Sequence, residues 1–169
     1  VTYRPNANFF GTYSFTFSVT GAGGTTGPAT VTVTVATPGA PTVTGRAVTV
    51  PFNGSVAIDL TANVSGVSTS IAVSTPPAKG TATLSGRIIT YRPNTGYFGT
   101  DSFAFTAIGP GGTSMPAQID ITVATQAPVA GAVRFILPLN TPTTMDMGPF
   151  ITGSAISGVS IVSQPKYGE

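Results

Sequence analysis

The first 36 residues of the chain return 88 positions later. Val1-Thr2-Tyr3-Arg4-Pro5-Asn6 recurs as Ile89-Thr90-Tyr91-Arg92-Pro93-Asn94, and Phe10-Gly11-Thr12 recurs as Phe98-Gly99-Thr100. Between 1–36 and 89–124, 20 of 36 positions are identical without a gap. A weaker third copy starts near the end. Pro51-Phe52-Asn53 and Asp59 match Pro138-Leu139-Asn140 and Asp146 at a spacing of 87, and Pro77-x-x-Gly80 matches Pro165-x-x-Gly168 at 88. A fixed period of this length signals an array of similar units, and arrays are built for reach, display or assembly. The expected division is the C-terminal half of one unit (1–36), a complete unit (41–125) and the N-terminal half of the next (128–169). Beginning at Val rather than Met, the chain reads as a window cut from a longer precursor.

Within the complete unit, apolar residues alternate with polar ones. Val56, Ile58 and Leu60 point one way; Phe103, Phe105 and Ala107 do the same, as do Ile119, Ile121 and Val123. Period two is the mark of a half-buried strand. Further short strands fit at 43–50, 70–75, 80–85 and 87–92, with Gly and Pro turns between them at Asn53-Gly54, Pro76-Pro77, Ser85-Gly86 and Gly109-Pro110-Gly111-Gly112. No segment shows a capped helical period. About seven strands in so short a unit predict an all-β fold of tandem antiparallel β-sandwiches. Its expected core is Val56, Ile58, Leu60, Ile71, Val73, Leu84, Ile89, Tyr91, Phe98, Phe103, Phe105, Ile119 and Ile121. Phe98 is expected to plug the end of that core from a long corner, and Asp101 to hold a turn or backbone amide. The links Ala36–Pro41 and Ala124–Pro128 are short and carry proline, so neighbouring units are expected end to end with limited hinge freedom.

Composition narrows the chemistry. Charged residues are 7% of the chain, against roughly 25% in ordinary soluble domains. Threonine supplies 29 of 169 residues; it suits a strand and keeps a solvent-facing position polar without charge. The five arginines, Arg4, Arg46, Arg87, Arg92 and Arg134, are scattered. Nucleic-acid binding needs clustered cations, and no nucleic-acid partner is expected. The chain has no Cys and no His, which removes disulfides, thiolate catalysis, imidazole ligands and Ser-His hydrolysis. No stretch approaches the roughly 20 apolar residues of a membrane span.

Each remaining chemical reading has a plainer rival. Asp59 and Asp120 sit between inward apolar neighbours, so both are expected to face solvent rather than form a catalytic carboxylate pair. The glycine turns at 21–24 and 109–112 lack the Lys-Ser/Thr and the helix of a phosphate loop, and are expected to be hairpin or bulge turns. A lysine–asparagine crosslink would need Lys79 or Lys166, both in proline-containing loops. Glycan binding would rest on Tyr3, Tyr91, Tyr97 and Tyr167, with no Trp to assist. No catalytic, metal-binding or cofactor-binding residue is assigned, and no enzyme activity is expected.

The phrases Ile89–Asn94, Gly96-Tyr97-Phe98-Gly99-Thr100-Asp101-Ser102-Phe103 and Gly109-Pro110-Gly111-Gly112-Thr113-Ser114 resemble the bacterial immunoglobulin-like and cadherin-like repeats of very large surface proteins. Ser74–Ala82 is similar to the segment such repeats carry before their middle hairpin. The resemblance implies an extracellular or cell-surface structural array: a stalk or filament body of an adhesin or autotransporter-like protein. Calcium-binding relatives gather Asp, Asn and Glu at the junctions, whereas Asp59, Asp101, Asp120, Asp146 and Glu169 lie far apart here. Calcium takes six to eight oxygens, so no bound calcium is expected.

Two functions from different classes follow: a structural module, or an adhesin domain that recognises a glycan or matrix ligand through its loops. Short loops shared between copies favour the first. The broken halves add an expectation about partners. Phe10, Phe15, Phe17, Val31, Val33 and Val35 are expected to face inward in the first half, and Ile136, Met145, Met147, Ile151, Ile161 and Val162 to be available in the last. Neither half covers its own apolar face. The expected partner is therefore a head-to-tail neighbour, either an adjacent repeat or another copy completed by strand exchange.

Overall fold

Threonine and valine alternating along a strand put a β-branched side chain on both faces, one dry and one wet, and the backbone extends to suit. The computed structural model describes residues 1–163, 165 and 166. Its first segment holds β1 (Gly11–Phe17), β2 (Thr20–Gly21), β3 (Gly24–Thr25) and β4 (Ala29–Val35). The middle segment holds β5 (Thr42–Val43), β6 (Arg46–Val50), β7 (Val56–Asp59), β8 (Val64–Ser65), β9 (Ser70–Thr75), β10 (Gly80–Ser85), β11 (Ile88–Pro93), β12 (Gly99–Gly109), β13 (Gly112–Thr113) and β14 (Ala117–Val123). The last segment holds β15 (Val129–Ala130) and β16 (Ile151–Thr152). Helical structure among the described residues is confined to two 3₁₀ turns, Thr61–Asn63 and Gly148–Phe150.

The middle segment is a sandwich. One sheet runs β13-β12-β14-β6 with β9 on the other side of β12; the facing sheet runs β10-β11-β7. Between them lies one apolar cluster that includes Val48, Val50, Ile58, Leu60, Ile71, Ile89, Tyr91, Phe103, Phe105, Ile119, Ile121 and Val123. Tyr91 and Phe103 stack across it with ring centroids 6.4 Å apart, an offset arrangement that aromatic quadrupoles favour.

Four expectations change. The sandwich is not purely antiparallel: β6 pairs with β14 in parallel, Ile121 opposite Val48 and Val123 opposite Val50. The chain comes into the unit at one end, where Pro38 lies against Gly111, and leaves at the other, where the Ala124 amide donates to Val50 O. First and last strands therefore run the same way, and side by side they can only be parallel. Leu84 is 40% exposed. It stands opposite Ile89 and shares its face, but β10 is the edge strand of its sheet, paired only with β11. Phe98 is also 40% exposed; the neighbouring Tyr97 packs against the core instead and its hydroxyl donates to Thr100 O. The single strand expected over 43–50 breaks into β5 and β6, which belong to different sheets. Val48, Val50, Ala107 and Val123 join the core in addition.

The outer segments copy the middle one in register. Gly11 faces Val35 as Gly99 faces Val123, and Phe17 faces Ala29 as Phe105 faces Ala117, each partner displaced by 88. In the last segment the displacement is 87. β15 pairs β16 as β5 pairs β8, and the Gly131 amide donates to Phe150 O as Thr44 donates to Asn63 O. Asn53 and Asn140 occupy the left-handed region at φ 53° and 56°, which asparagine tolerates better than most residues. These segments lack the cover that the middle one has. Phe10 and Phe17 are exposed, while Phe15, Val31, Val33 and Val35 are half-buried. Ile136, Met145, Met147, Ile161 and Val162 are exposed and Ile151 half-buried.

Phe103→Ala should cost about 3–5 kcal/mol, since it empties a ring-sized volume at the centre of a closed core. Leu84→Ala should cost about 1 kcal/mol, because this edge-strand side chain already meets water. Urea denaturation of the two variants measures both, and equal losses would mean that β10 is covered.

Candidate functional site

The most heavily bonded polar group of the sandwich is the carboxylate of Asp101, near the start of β12. Oδ1 accepts from the Ala78 amide at 3.1 Å and the Ser102 amide at 2.9 Å. Oδ2 accepts from the Lys79 amide at 3.0 Å and from the Tyr91 hydroxyl at 2.8 Å. The loop Pro76–Lys79, whose prolines carry no amide hydrogen, thus gives its next two amides to one carboxylate. Gly80 follows because a Cβ there would lie 2.8 Å from the Tyr91 hydroxyl and 2.5 Å from Arg92 O. Burial pushes the Tyr91 phenol well above its ordinary value, and its hydrogen bond to Asp101 pushes the same way. With both oxygens occupied, Asp101 ties a loop to a core ring rather than serving as a free acid or base. The sequence signals a turn-holding Asp101 but not its bond to Tyr91.

In the first segment the equivalent positions are Tyr3 and Tyr13, and they stack with centroids 5.5 Å apart. The same two positions are joined by a charge-assisted hydrogen bond in one copy and by ring contact in the other.

Asp59 and Asp120 are exposed on strands of different sheets, and the structure does not bring them together. Asp59 Oδ1 accepts from the Thr61 amide at 2.8 Å. Hydrogen bonds from Thr61 hold its carboxyl below the usual value, with the charge of Arg46 assisting. Asp146 Oδ1 accepts from the Gly148 amide at 2.8 Å in the same role. Asp120 accepts from Gln118 Nε2 at 2.6 Å. Asp101 and Asp120 share the rim of a cleft of about 400 Å³ with Lys79 and Gln118. Lys79 and Lys166 are exposed. The glycine turns close the hairpins β2–β3 and β12–β13. Gly111 has a second duty: a Cβ there would come within 2.1 Å of Pro38 O in the preceding link. Of the tyrosines considered for glycans, Tyr91 is fully buried and is withdrawn, Tyr3 and Tyr97 are half-buried, and Tyr167 lies outside the described residues, as does Glu169.

Two further concavities border the first segment. A cleft of about 710 Å³ is bordered by Asn8, Phe10, Val67, Ser68, Arg87 and Pro110. Arg87 Nη2 donates there to Ser68 Oγ at 2.7 Å and Ser68 O at 3.1 Å. A groove of about 390 Å³ is lined by Val1, Tyr3, Phe15, Phe17, Val31 and Val33, every one of them apolar or aromatic. The described residues contain no group of three or more Asp or Glu side chains placed to hold a metal.

A family model described as a bacterial Ig domain matches residues 1–34 and 38–122. No curated protein matches the chain.

Asp101→Ala should cost about 2–4 kcal/mol, since three amides and a buried hydroxyl lose their acceptor. Stability supported by Tyr91 is present below the unfolded phenol value of about 10 and is lost as pH rises beyond it, because the unfolded chain then releases a proton that the folded one retains. Tyr91→Phe should flatten that alkaline loss, read as melting temperature against pH. Adding EDTA should leave the melting temperature unchanged; a fall of several degrees reversed by calcium would reveal a metal site.

Proposed function

Because the chain belongs to the bacterial Ig domain family, we propose that it is a run of tandem structural units from a long extracellular bacterial protein, serving as a stalk or filament body. The observation that carries this reading is the recurrence of whole pairing registers: the β12–β14 ladder returns at 88 as β1–β4, and the β5–β8 pair returns at 87 as β15–β16. The units are 1–36, 41–125 and 128–169. Several features support a load-bearing rather than a chemical role. The chain comes into the middle unit at one end and leaves at the other. The link at Pro38–Gly39 is wedged against Gly111, which restricts bending there. The carboxylate with the most partners is spent on a loop. The surface is rich in hydroxyls and poor in charge, and loops are short. Domains of this family are typical of surface proteins, and no helix among the described residues is long and apolar enough to cross a membrane.

β12 has 11 residues, about 36 Å at roughly 3.3 Å each. In small-angle scattering, each added unit should therefore lengthen the particle by a constant increment of about 35–45 Å. Particles that grow in girth instead would refute the stalk. Antibody against the chain should label intact, unpermeabilised source cells, and labelling that required permeabilisation would refute the location.

A further inference from the structure

Two stretches of the middle unit read Asn-x-Ser, Asn53-Gly54-Ser55 and Asn63-Val64-Ser65, and no other asparagine of the chain is followed two residues on by Ser or Thr. An asparagine in that setting, with any residue but proline between, is the acceptor of N-linked sugar in secreted proteins, and so bulky a group is accommodated at the surface. The structure separates the two asparagines.

Asn53 is exposed in the tight turn between β6 and β7. Its φ of 53° places it in the left-handed region, and the Gly54 amide closes the turn on Pro51 O at 3.0 Å. Asn53 Oδ1 accepts from the Gly96 amide at 2.7 Å, so the side-chain amide is fixed by its carbonyl end. Nδ2 has no partner among the described residues, and neither has the hydroxyl of the exposed Ser55. Asn63 is arranged the other way round. It is half-buried, and its Nδ2 donates to Thr44 O at 2.9 Å and to Thr44 Oγ1 at 3.4 Å. A sugar on that nitrogen would displace the contact that holds Thr44, where the chain crosses from β5 to β6. Asn140 takes the same left-handed turn as Asn53, but Pro142 stands at the position of Ser55 and removes the hydroxyl.

The turn at Asn53 also lies where cover is useful. β6 is the last strand of the sheet β13-β12-β14-β6, and β7 is the last of β10-β11-β7. Asn53 joins them, so it sits beside two strand edges at once. Such edges template pairing with other strands and are commonly blunted with charge or covered. Here β6 and β7 carry one charged residue each, Arg46 and Asp59, both at the ends away from Asn53.

We propose that Asn53 is a glycosylation site: its Nδ2 carries an N-linked hexose or N-acetylhexosamine, and Asn63 and Asn140 carry none. The donor is that sugar activated as a diphosphate ester. Asn53 Nδ2 bonds to C1 of the sugar, the C1–O bond to the diphosphate breaks with its electron pair going to the diphosphate, and one Nδ2 proton passes to the transferring enzyme. The carbonyl oxygen is untouched, so the bond from Gly96 survives while the sugar shields the β6 and β7 edges. The proposal goes beyond the stalk reading and rests on its extracellular location.

The tryptic peptide 47–79 holds both Asn53 and Asn63. Prepared from the protein of source cells, it should be heavier than its sequence by one or more sugar residues, and fragmentation should place the whole increment on Asn53. Asn53→Gln should abolish the increment and Asn63→Gln should keep it. Ser55→Ala removes a hydroxyl that holds nothing in the fold, so it should abolish the increment with the circular dichroism of the chain unchanged; this variant guards against an effect of disturbing the turn. A peptide with the bare mass, an increment on Asn63, or one that survives Ser55→Ala would overturn the proposal. A bare mass together with antibody labelling of intact cells sinks this proposal alone, whereas loss of that labelling sinks the location.

Discussion

Everything in this structure depends on bringing two faces together that the sequence keeps apart. A strand pair with one apolar face gains little by itself, because that face still meets water. In the middle unit the last strands supply Tyr91, Phe103, Phe105, Ile119 and Ile121, and the first strands supply Val48, Val50, Ile58 and Leu60. The meeting removes all of them from solvent to within a few per cent, apart from Val48 at 9%. The same residue types in the outer segments remain partly wet. Burial thus tracks the presence of the opposite face and not the apolar alternation of a strand, which the outer segments share.

The second dependence is on Tyr91, which serves the core and the polar clasp together. Its ring stacks on Phe103 while its hydroxyl donates to Asp101. Burying a phenol without a partner is costly, so the ring's place in the core requires an acceptor nearby. Asp101 meets that need and, with its other lone pairs, holds the amides of Ala78 and Lys79. A chain so short of charge spends one of its few carboxylates inside the fold. Where Tyr13 replaces Asp101, Tyr3 is half-buried rather than fully buried, and ring stacking suffices.

Much of the sandwich was legible from alternation. The inward sets Phe103/Phe105/Ala107 and Ile119/Ile121/Val123 are buried, and strands over 70–75 and 80–85 coincide with β9 and β10. Period two tells which face a residue is on, but not whether anything lies over that face. Leu84 is on the right face of the wrong strand, and Phe98 is in a corner where Tyr97 reaches the core first. The split at Thr44-Gly45 and the parallel β6–β14 pair were hidden because they are settled by where the chain comes in and leaves. The Asp101–Tyr91 bond joins residues ten apart through a turn, and nothing in either residue's neighbours marks it.

The parallel pair gives the sandwich a direction. If first and last strands ran in opposite directions, both links would leave from one end and successive units would fold back on each other. Lying parallel, with Pro38 at the Gly111 end and Ala124 at the Val50 end, they make the sandwich directional. The strand that makes the unit directional is also the one that the β4 edge lacks. A single element, β6, therefore settles the direction of the chain through the sandwich and covers the edge of β14. An exposed β-edge beside an apolar groove is a ready template for pairing with another strand.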